Sequence, residues 1–289
     1  MIPEGLVLLT SVALALGAVR LARRSTLVRE LFCIETLARV DTLCLDKTGT
    51  ITEGHLCVQG EESVKEDVDL EQLMGRMVSA LGDENETFQA LRQHYKRNQS
   101  TNTKLVLPFS SERKFSGVVF EGEGTYLMGA YQFIFPQADP AVLEKIAEYA
   151  SQGLRVLTVA HSPNEMTDYT LAEDFEIVGF VFMTDVVRKN APDILSYFEE
   201  QGVDLKVISG DDPVTVAAIA ARAGLKDADK YIDATTIHTD EEMEDAILKY
   251  SVFGRVTPKQ KQQMVRLLEQ NGRTVAMTGD GVNLSLIHI

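Results

Sequence analysis

Five apolar runs of strand length constrain this chain more than any other feature. They are Val40 to Leu45, Phe175 to Met183, Leu205 to Ile208, Val252 to Val256 and Thr274 to Met277. Amphipathic stretches fall between the returning runs, at Ala191 to Gln201, Val214 to Ala223, Glu241 to Lys249 and Pro258 to Gln270. Strand alternating with helix implies an α/β body with a parallel, three-layered sheet, and such a sheet carries its sites at the carboxyl ends of the strands.

The residues leaving those strands carry the chemistry. Asp46-Lys47-Thr48-Gly49-Thr50 follows Cys44-Leu45, Ser209-Gly210-Asp211 follows Val207-Ile208, and Thr278-Gly279-Asp280-Gly281-Val282-Asn283 follows the last run. A carboxylate at the end of a buried strand, with glycine and hydroxyl residues behind it, can attack a phosphoryl group and become an acyl phosphate. A second carboxylate two residues on would act as general acid and base for fast hydrolysis; Thr48 stands there, so a slowly hydrolysed intermediate is expected. Gly210, Gly279 and Gly281 let backbone amides approach phosphate oxygens, and Asp280 offers a hard oxygen to magnesium. Lys261 supplies a positive charge for the transferring group. Any one Gly-Asp turn is more often only a turn; their joint placement at strand ends singles them out.

Composition bounds the rest. With 289 residues and 45% apolar content the chain can bury a full core in two lobes. A formal charge of −15 leaves no basic stripe for nucleic acid. Cys33, Cys44 and Cys57 form no CxxC pair and are read as reduced thiols, with neither a disulfide framework nor a zinc site. Gly5 to Val19 is uncharged and mostly aliphatic, shorter than the roughly 20 residues that span a bilayer. Arg20, Arg23, Arg24 and Arg29 follow it, the positive flank of a cytoplasmic membrane boundary. Glu4, beside Pro3 and Gly5, is either a cation ligand at membrane depth or merely an acid at a helix start.

The segment from about Leu56 to about Phe175 has a different grammar. A helical stretch over Asp69 to Tyr95 precedes strand-like Lys104 to Leu107, Phe115 to Phe120 and Thr125 to Met128. A helix from Pro140 to about Gln152, stopped by Gly153, then leads to a strand over Arg155 to Ala160. This predicts an inserted α+β lobe around an antiparallel sheet.

On these residues the chain resembles the P-type ATPases, membrane cation pumps of the haloacid-dehalogenase-like superfamily. Asp46 to Thr50 with Ile51-Thr52 is similar to their phosphorylation signature, Pro3-Glu4-Gly5-Leu6 to the fourth transmembrane helix of calcium-pump-like members, and Thr278 to Asn283 to their hinge motif. The resemblance implies a Rossmannoid phosphorylation domain at 25–55 and 176–283, an inserted nucleotide-binding domain at 56–175, a partial transmembrane helix at 1–24 and an atypical tail at 284–289. Asp46 would be the phosphorylated nucleophile, with Lys261 and Asp280 beside it. Magnesium would be held by Asp46, Thr48 and Asp280. Gly210, Asp211, Arg255 and Asn283 would face the nucleotide, and Asp185 with Arg188 stands where the family has Asp-Pro-Pro-Arg. In the insertion, Phe109 would stack on adenine, with Glu86, Lys114 and Arg155 around the nucleotide. Residue chemistry by itself reads Phe109 as core and Lys114 and Arg113 as solvated charges.

Two departures stand out. Met128-Gly129-Ala130 replaces the family's Lys-Gly-Ala, and Leu284 follows Asn283 where an aspartate is expected. The implied cofactors are ATP and Mg2+. The implied partners are a transported cation, leaning to calcium-like hard ions, membrane lipid, and the transmembrane and actuator parts of the same pump. The implied location is the cell membrane, with the bulk of the chain on the cytoplasmic side. Without an actuator the chain as written is expected to bind nucleotide and accept phosphate but not to pump. The alternatives are a free-standing phosphatase of the same superfamily, which would need an acid at position 48, and an ATP-binding module without chemistry.

Overall fold

The computed structural model describes residues 4–30, 32–95, 102–137, 139–171 and 174–279. Asp280, Asn283 and the 284–289 tail therefore lie outside the described residues. In chain order the elements are α1 (Glu4–Ala22), α2 (Cys33–Leu37), β1 (Thr42–Asp46), β2 (Thr52–Ser63), α3 (Leu70–Ala80), α4 (Glu86–His94), β3 (Thr103–Leu107), β4 (Phe115–Phe120) and β5 (Gly124–Gly129). There follow α5 (Tyr131–Ile134), α6 (Pro140–Ser151), β6 (Arg155–Ser162), β7 (Glu176–Val187), α7 (Ala191–Glu200), β8 (Asp204–Ile208), α8 (Pro213–Arg222), β9 (Tyr231–Asp233), α9 (Asp240–Lys249), β10 (Val252–Gly254), α10 (Pro258–Gln270) and β11 (Val275–Thr278). Contacts divide them into two compact units, residues 1–50, 190–213 and 224–289 in the first, 51–189 and 214–223 in the second.

The first unit holds a five-stranded sheet in the order β11-β1-β8-β10-β9, with every pairing parallel. All five residues of β1 are buried, as expected of a central strand covered on both faces. Cys44, Ile208 and Phe253 from three of its strands pack with Met243 and Ile247 of α9 and Met264 and Leu268 of α10. Burial pushes the Cys44 thiol up to about 12, which keeps it an inert core residue. Helix starts follow from local chemistry: Thr239 with Glu242 and Thr257 with Gln260 form capping boxes, and Pro258 occupies the first turn of α10. Gly254 is fixed by close approach, since a Cβ there would fall 2.4 Å from the Pro213 backbone.

The second unit is built on a six-stranded antiparallel sheet, β2-β7-β6-β5-β4-β3. One core joins α3 and α4 to it through Met74, Met77, Phe88 and Leu91 packed with Val118, Phe120, Val159 and Val181. Leu107, Phe115, Leu127, Ile134 and Ala160 form another core. Two expectations are corrected here. The run Phe175 to Met183 is not a parallel strand: β7 lies antiparallel between β2 and β6. The helical stretch Asp69 to Tyr95 is two helices, because Leu81 leaves the helix in an extended conformation and Asn85 caps a new one through the Phe88 amide.

Helix α1 exposes Leu8, Leu9, Leu16 and Val19 to solvent, and Gly17 leaves room for the Ile34 side chain. Among the described residues no helix is long and apolar enough to cross a membrane. Glu4 opens α1.

Candidate functional site

In the first unit, strand pairing brings the turn residues together. Asp46 ends β1, where it pairs with Ile208, and Leu45 pairs with Thr278 on the other side. The sheet thus delivers Asp46, Ser209-Gly210-Asp211 and Gly279 at the carboxyl ends of adjacent strands. The turn after Asp46 needs its glycine, for Gly49 sits at φ 73°. Asp46 is 5% exposed, and the Lys261 Nζ donates to its Oδ2 at 2.7 Å from the first turns of α10. An ammonium in that position satisfies the buried carboxylate and is placed to neutralise charge that grows on a transferring phosphoryl group.

Lys47 is wholly buried, and its Nζ lies 2.8 Å from the Asp211 Oδ2. Asp46 and Asp211 are therefore each matched with a lysine. The Asp211 carbonyl accepts from the Arg255 amide at 2.7 Å, and Arg255 adopts φ 51°. The Arg255 guanidinium is divided between Asp212 at 2.8 Å and Asp233 at 2.7 Å. Gly210 has open space where a Cβ would stand, with only the Val256 carbonyl near, at 3.8 Å. Hard oxygen donors, the Asp46 carboxylate and the Thr48 carbonyl, suit magnesium. Among the described residues there is no cluster of three His, Cys, Asp or Glu that could hold a metal. Asp280, expected as the other ligand, lies outside them.

In the second unit, Glu86, Phe109, Lys114 and Arg155 line one cavity of about 350 Å³, together with Asp83 and Met128. Phe109 is 39% exposed, at odds with a core aromatic, and its amide donates to Asp83 Oδ1 at 3.1 Å. Lys114 adopts φ 56°, its amide donating to the Ser110 carbonyl at 2.8 Å. Its own carbonyl lies against Gly129, where a Cβ would stand 2.5 Å from that oxygen. Glycine at 129 thus shapes the wall that presents Lys114. Arg155 reaches Asp185 at 3.3 Å from the neighbouring strand. Met128 is buried beneath the cavity, where a thioether offers packing but no charge.

A haloacid dehalogenase-like hydrolase model matches residues 40–285. The chain belongs to this family. It is 38% identical over 288 residues to the probable cation-transporting ATPase exp7 of Streptococcus pneumoniae, covering 98% of this chain and 36% of that protein. It is also 38% identical over 284 residues to the calcium-transporting ATPase CtpE of Mycolicibacterium smegmatis, covering 98% and 35%. The chain spans about a third of the length of these relatives. The fold is shared with a solved zinc-transporting PIB-type ATPase in the E2.Pi state, at TM-score 0.68 and 22% identity over 96% of this chain and 39% of that one.

Of the residues expected from the sequence, the structure brings Asp46 and Lys261 together in the first unit and Glu86, Phe109, Lys114 and Arg155 around one cavity in the second. The pairing of Lys47 with Asp211 and the place of Asp83 on the cavity are not among those expectations. Lys47 was legible in principle, since a lysine directly following a buried strand needs a carboxylate to be buried. Asp83 carries no such signal, because its partner is 26 residues away in the sequence.

Proposed function

We propose that this hydrolase carries the catalytic chemistry of an ATP-driven cation transporter and that Asp46 accepts the γ-phosphoryl group of ATP. The observation that carries the reading is the buried Asp46 carboxylate at a strand end, with the Lys261 ammonium 2.7 Å from one of its oxygens. Lys261 engages Oδ2, which leaves Oδ1 to attack the γ-phosphorus. The new O–P bond forms as the bond from phosphorus to the bridging oxygen breaks, and ADP leaves with that electron pair. Lys261 balances charge on the acceptor side while Lys47 and Asp211 hold the neighbouring turn. Magnesium, held by Asp46, Thr48 and Asp280, would neutralise phosphate charge. Thr48 supplies no carboxylate to activate water, so the acyl phosphate outlasts its formation, which suits a transporter better than a phosphatase.

The functional partition we infer is a phosphorylation domain at 25–55 and 176–283 and a nucleotide-binding domain at 56–175. Phe109 stacks on the base, Glu86 and Lys114 flank it, and Arg155 reaches the phosphates. Gly210, Asp211, Arg255 and Asn283 face the nucleotide from the phosphorylation side. A membrane location, with these domains on the cytoplasmic face, a lipid contact for the apolar α1 and a hard cation such as calcium as cargo are supported by the names of the relatives and the Arg-flanked apolar start. Glu4 is the cation ligand this reading would add.

The test is labelling with γ-labelled ATP. Acid-stable label that needs magnesium and disappears in Asp46→Asn supports the reading. Label that persists in that variant, or ATP binding with none at any magnesium level, would sink it.

A further inference from the structure

Helix α8 groups with one unit and is rooted in the other. Its first residue, Pro213, ends the segment Asn190–Pro213 of the first unit, whereas Val214–Ala223 groups with the second, so the chain changes unit at both ends of this helix. At its root stands the Ser209-Gly210-Asp211 turn, which the first unit holds by itself. The Ser209 amide donates to the Phe253 carbonyl at 2.9 Å, the Val256 amide to the Ser209 carbonyl at 2.9 Å, and Asp211 is matched with Lys47. At the far end of the helix, in the second unit, the Arg222 Nη2 donates to the Thr184 Oγ1 at 2.6 Å, and that hydroxyl donates to the Gly153 carbonyl at 3.0 Å. A hydroxyl has one proton; with it committed to Gly153, Thr184 takes the Arg222 bond as acceptor. Thr184 is 3% exposed, so the relay is shielded from water. Gly153 leaves the space that the helix end needs, since a Cβ there would fall 3.0 Å from the Arg222 Nη2 and 3.1 Å from the Ala218 Cβ. Two residues beyond Gly153, Arg155 lines the cavity and reaches Asp185, the residue after Thr184.

We propose that Arg222 is a positioning residue for phosphoryl transfer: by fastening the end of α8 to Thr184 and, through it, to Gly153, it ties the segment that carries Arg155 to the turn beside Asp46. The inference rests on the proposed function and adds to it the element by which a nucleotide held in the second unit is brought to bear on the first. A ten-residue α-helix is a stiff strut of about 15 Å, so fixing one end fixes the direction of the other. Arginine suits this place, because its charge is favourable in the last turn of the helix while its guanidinium donates to a neutral oxygen. Without the Arg222 bond the turn keeps its own first-unit partners, so the side chains around Asp46 stay in place, while α8 loses its hold on the second unit. Phosphoryl donors that need the cavity are thereby separated from donors that do not.

The experiment labels Asp46 in the full 289-residue chain from two donors, γ-labelled ATP and labelled acetyl phosphate, a small acyl phosphate that has no base or ribose for a cavity to hold. With either donor a bond forms from the Asp46 carboxylate to phosphorus, and ADP or acetate leaves with the electron pair of the broken bond. Arg222→Met keeps an unbranched side chain and leaves the Thr184 to Gly153 bond intact. Its rate of labelling at saturating ATP should fall roughly tenfold, the scale of one charged hydrogen bond. Its labelling from acetyl phosphate and its equilibrium binding of ATP should each stay within about twofold of the parent. Thr184→Val should reproduce the loss, and Thr184→Ser, which keeps the hydroxyl, should retain the parent rate. Equal slowing with both donors, an unchanged rate with ATP, or weaker ATP binding with an unchanged saturated rate overturns the inference and leaves the proposed function standing. An unmodified chain that takes no label from ATP overturns both together.

Discussion

The two units handle charge in opposite ways. In the parallel unit Asp46, Lys47 and Lys261 are buried, and the lysines are spent on carboxylates of the same unit. In the antiparallel unit Phe109 is exposed and Lys114 and Glu86 line an open cavity. Buried, mutually satisfied charges are preorganised for a reaction in which charge moves, and they lose little to reorganisation when it does. Open, incompletely satisfied groups suit reversible binding, because the ligand supplies the missing partner. On the proposed function, chemistry and recognition would occupy separate electrostatic environments.

The comparison breaks most sharply at Lys261. Lys261→Met strands a buried carboxylate, so stability measured by urea unfolding should fall by about 3 to 5 kcal/mol. Phosphoryl transfer to Asp46 in whatever remains folded should slow by roughly 10²- to 10³-fold. The double variant Asp46→Asn with Lys261→Met should recover most of the stability and none of the labelling. A single variant as stable as the parent would show that the pair is not the buried, charged contact described.

A smaller effect separates the units by geometry. Gly254→Ala and Gly129→Ala each place a Cβ within 2.5 Å of backbone atoms, and each should destabilise by roughly 1 to 3 kcal/mol. Only Gly129→Ala moves the wall that carries Lys114, so it alone should weaken nucleotide binding in titrations of folded protein. Equal losses of affinity in both would argue against the cavity as the binding site.

Phe109→Ala should lower nucleotide affinity by about 1 to 3 kcal/mol if a base stacks on the ring, with little change in melting because the ring is partly exposed. Unchanged affinity would remove Phe109 from the site.

The smallest effect is one of pH. Glu62 is held below its ordinary carboxylate range, first by the hydrogen bond from Lys145 and then by that from Tyr149. The stabilisation is present above the unfolded value near 4.5 and is lost as pH falls through the lowered folded value. Because the Glu62 side chain is 38% exposed, screening limits the gain to about 0.5 kcal/mol. Tyr149→Phe should melt slightly earlier than the parent at neutral pH, and the gap should close in acid. A gap that persists in acid would point to packing against Phe182 instead.

What was legible in the sequence tracks how local its cause is. The bounds of α10 were readable because Thr257, Pro258 and Gln260 start it within four residues. The strand β1 was readable because its whole run is buried. The strand β7 was misplaced because an apolar run does not say which neighbour it will pair with, or in which direction. Its partner β2 was not read at all: Thr52–Ser63 is largely polar, with only Thr52 and Leu56 fully buried, and pairing with β7 holds it as a strand. The break between α3 and α4 has local signals, Gly82 directly after Leu81 and Asn85 as the next N-cap, which an unbroken helix over 69–95 leaves out of account. In the candidate site, residues carried by a compact motif were found, while those that act through distant partners, Lys47 with Asp211 and Asp83 with Phe109, became visible only when the fold brought them together.

The pairing of β1 has a mechanical consequence. The strand is fastened along both edges, by β8 and β11, and Asp46 is its last residue. Directly after it the backbone turns over Lys47–Ile51 with Gly49 at φ 73°, and the chain passes from one unit to the other between Thr50 and Ile51. A group added to Asp46 would stand on a post fastened along both edges, one turn before the chain leaves for the other unit.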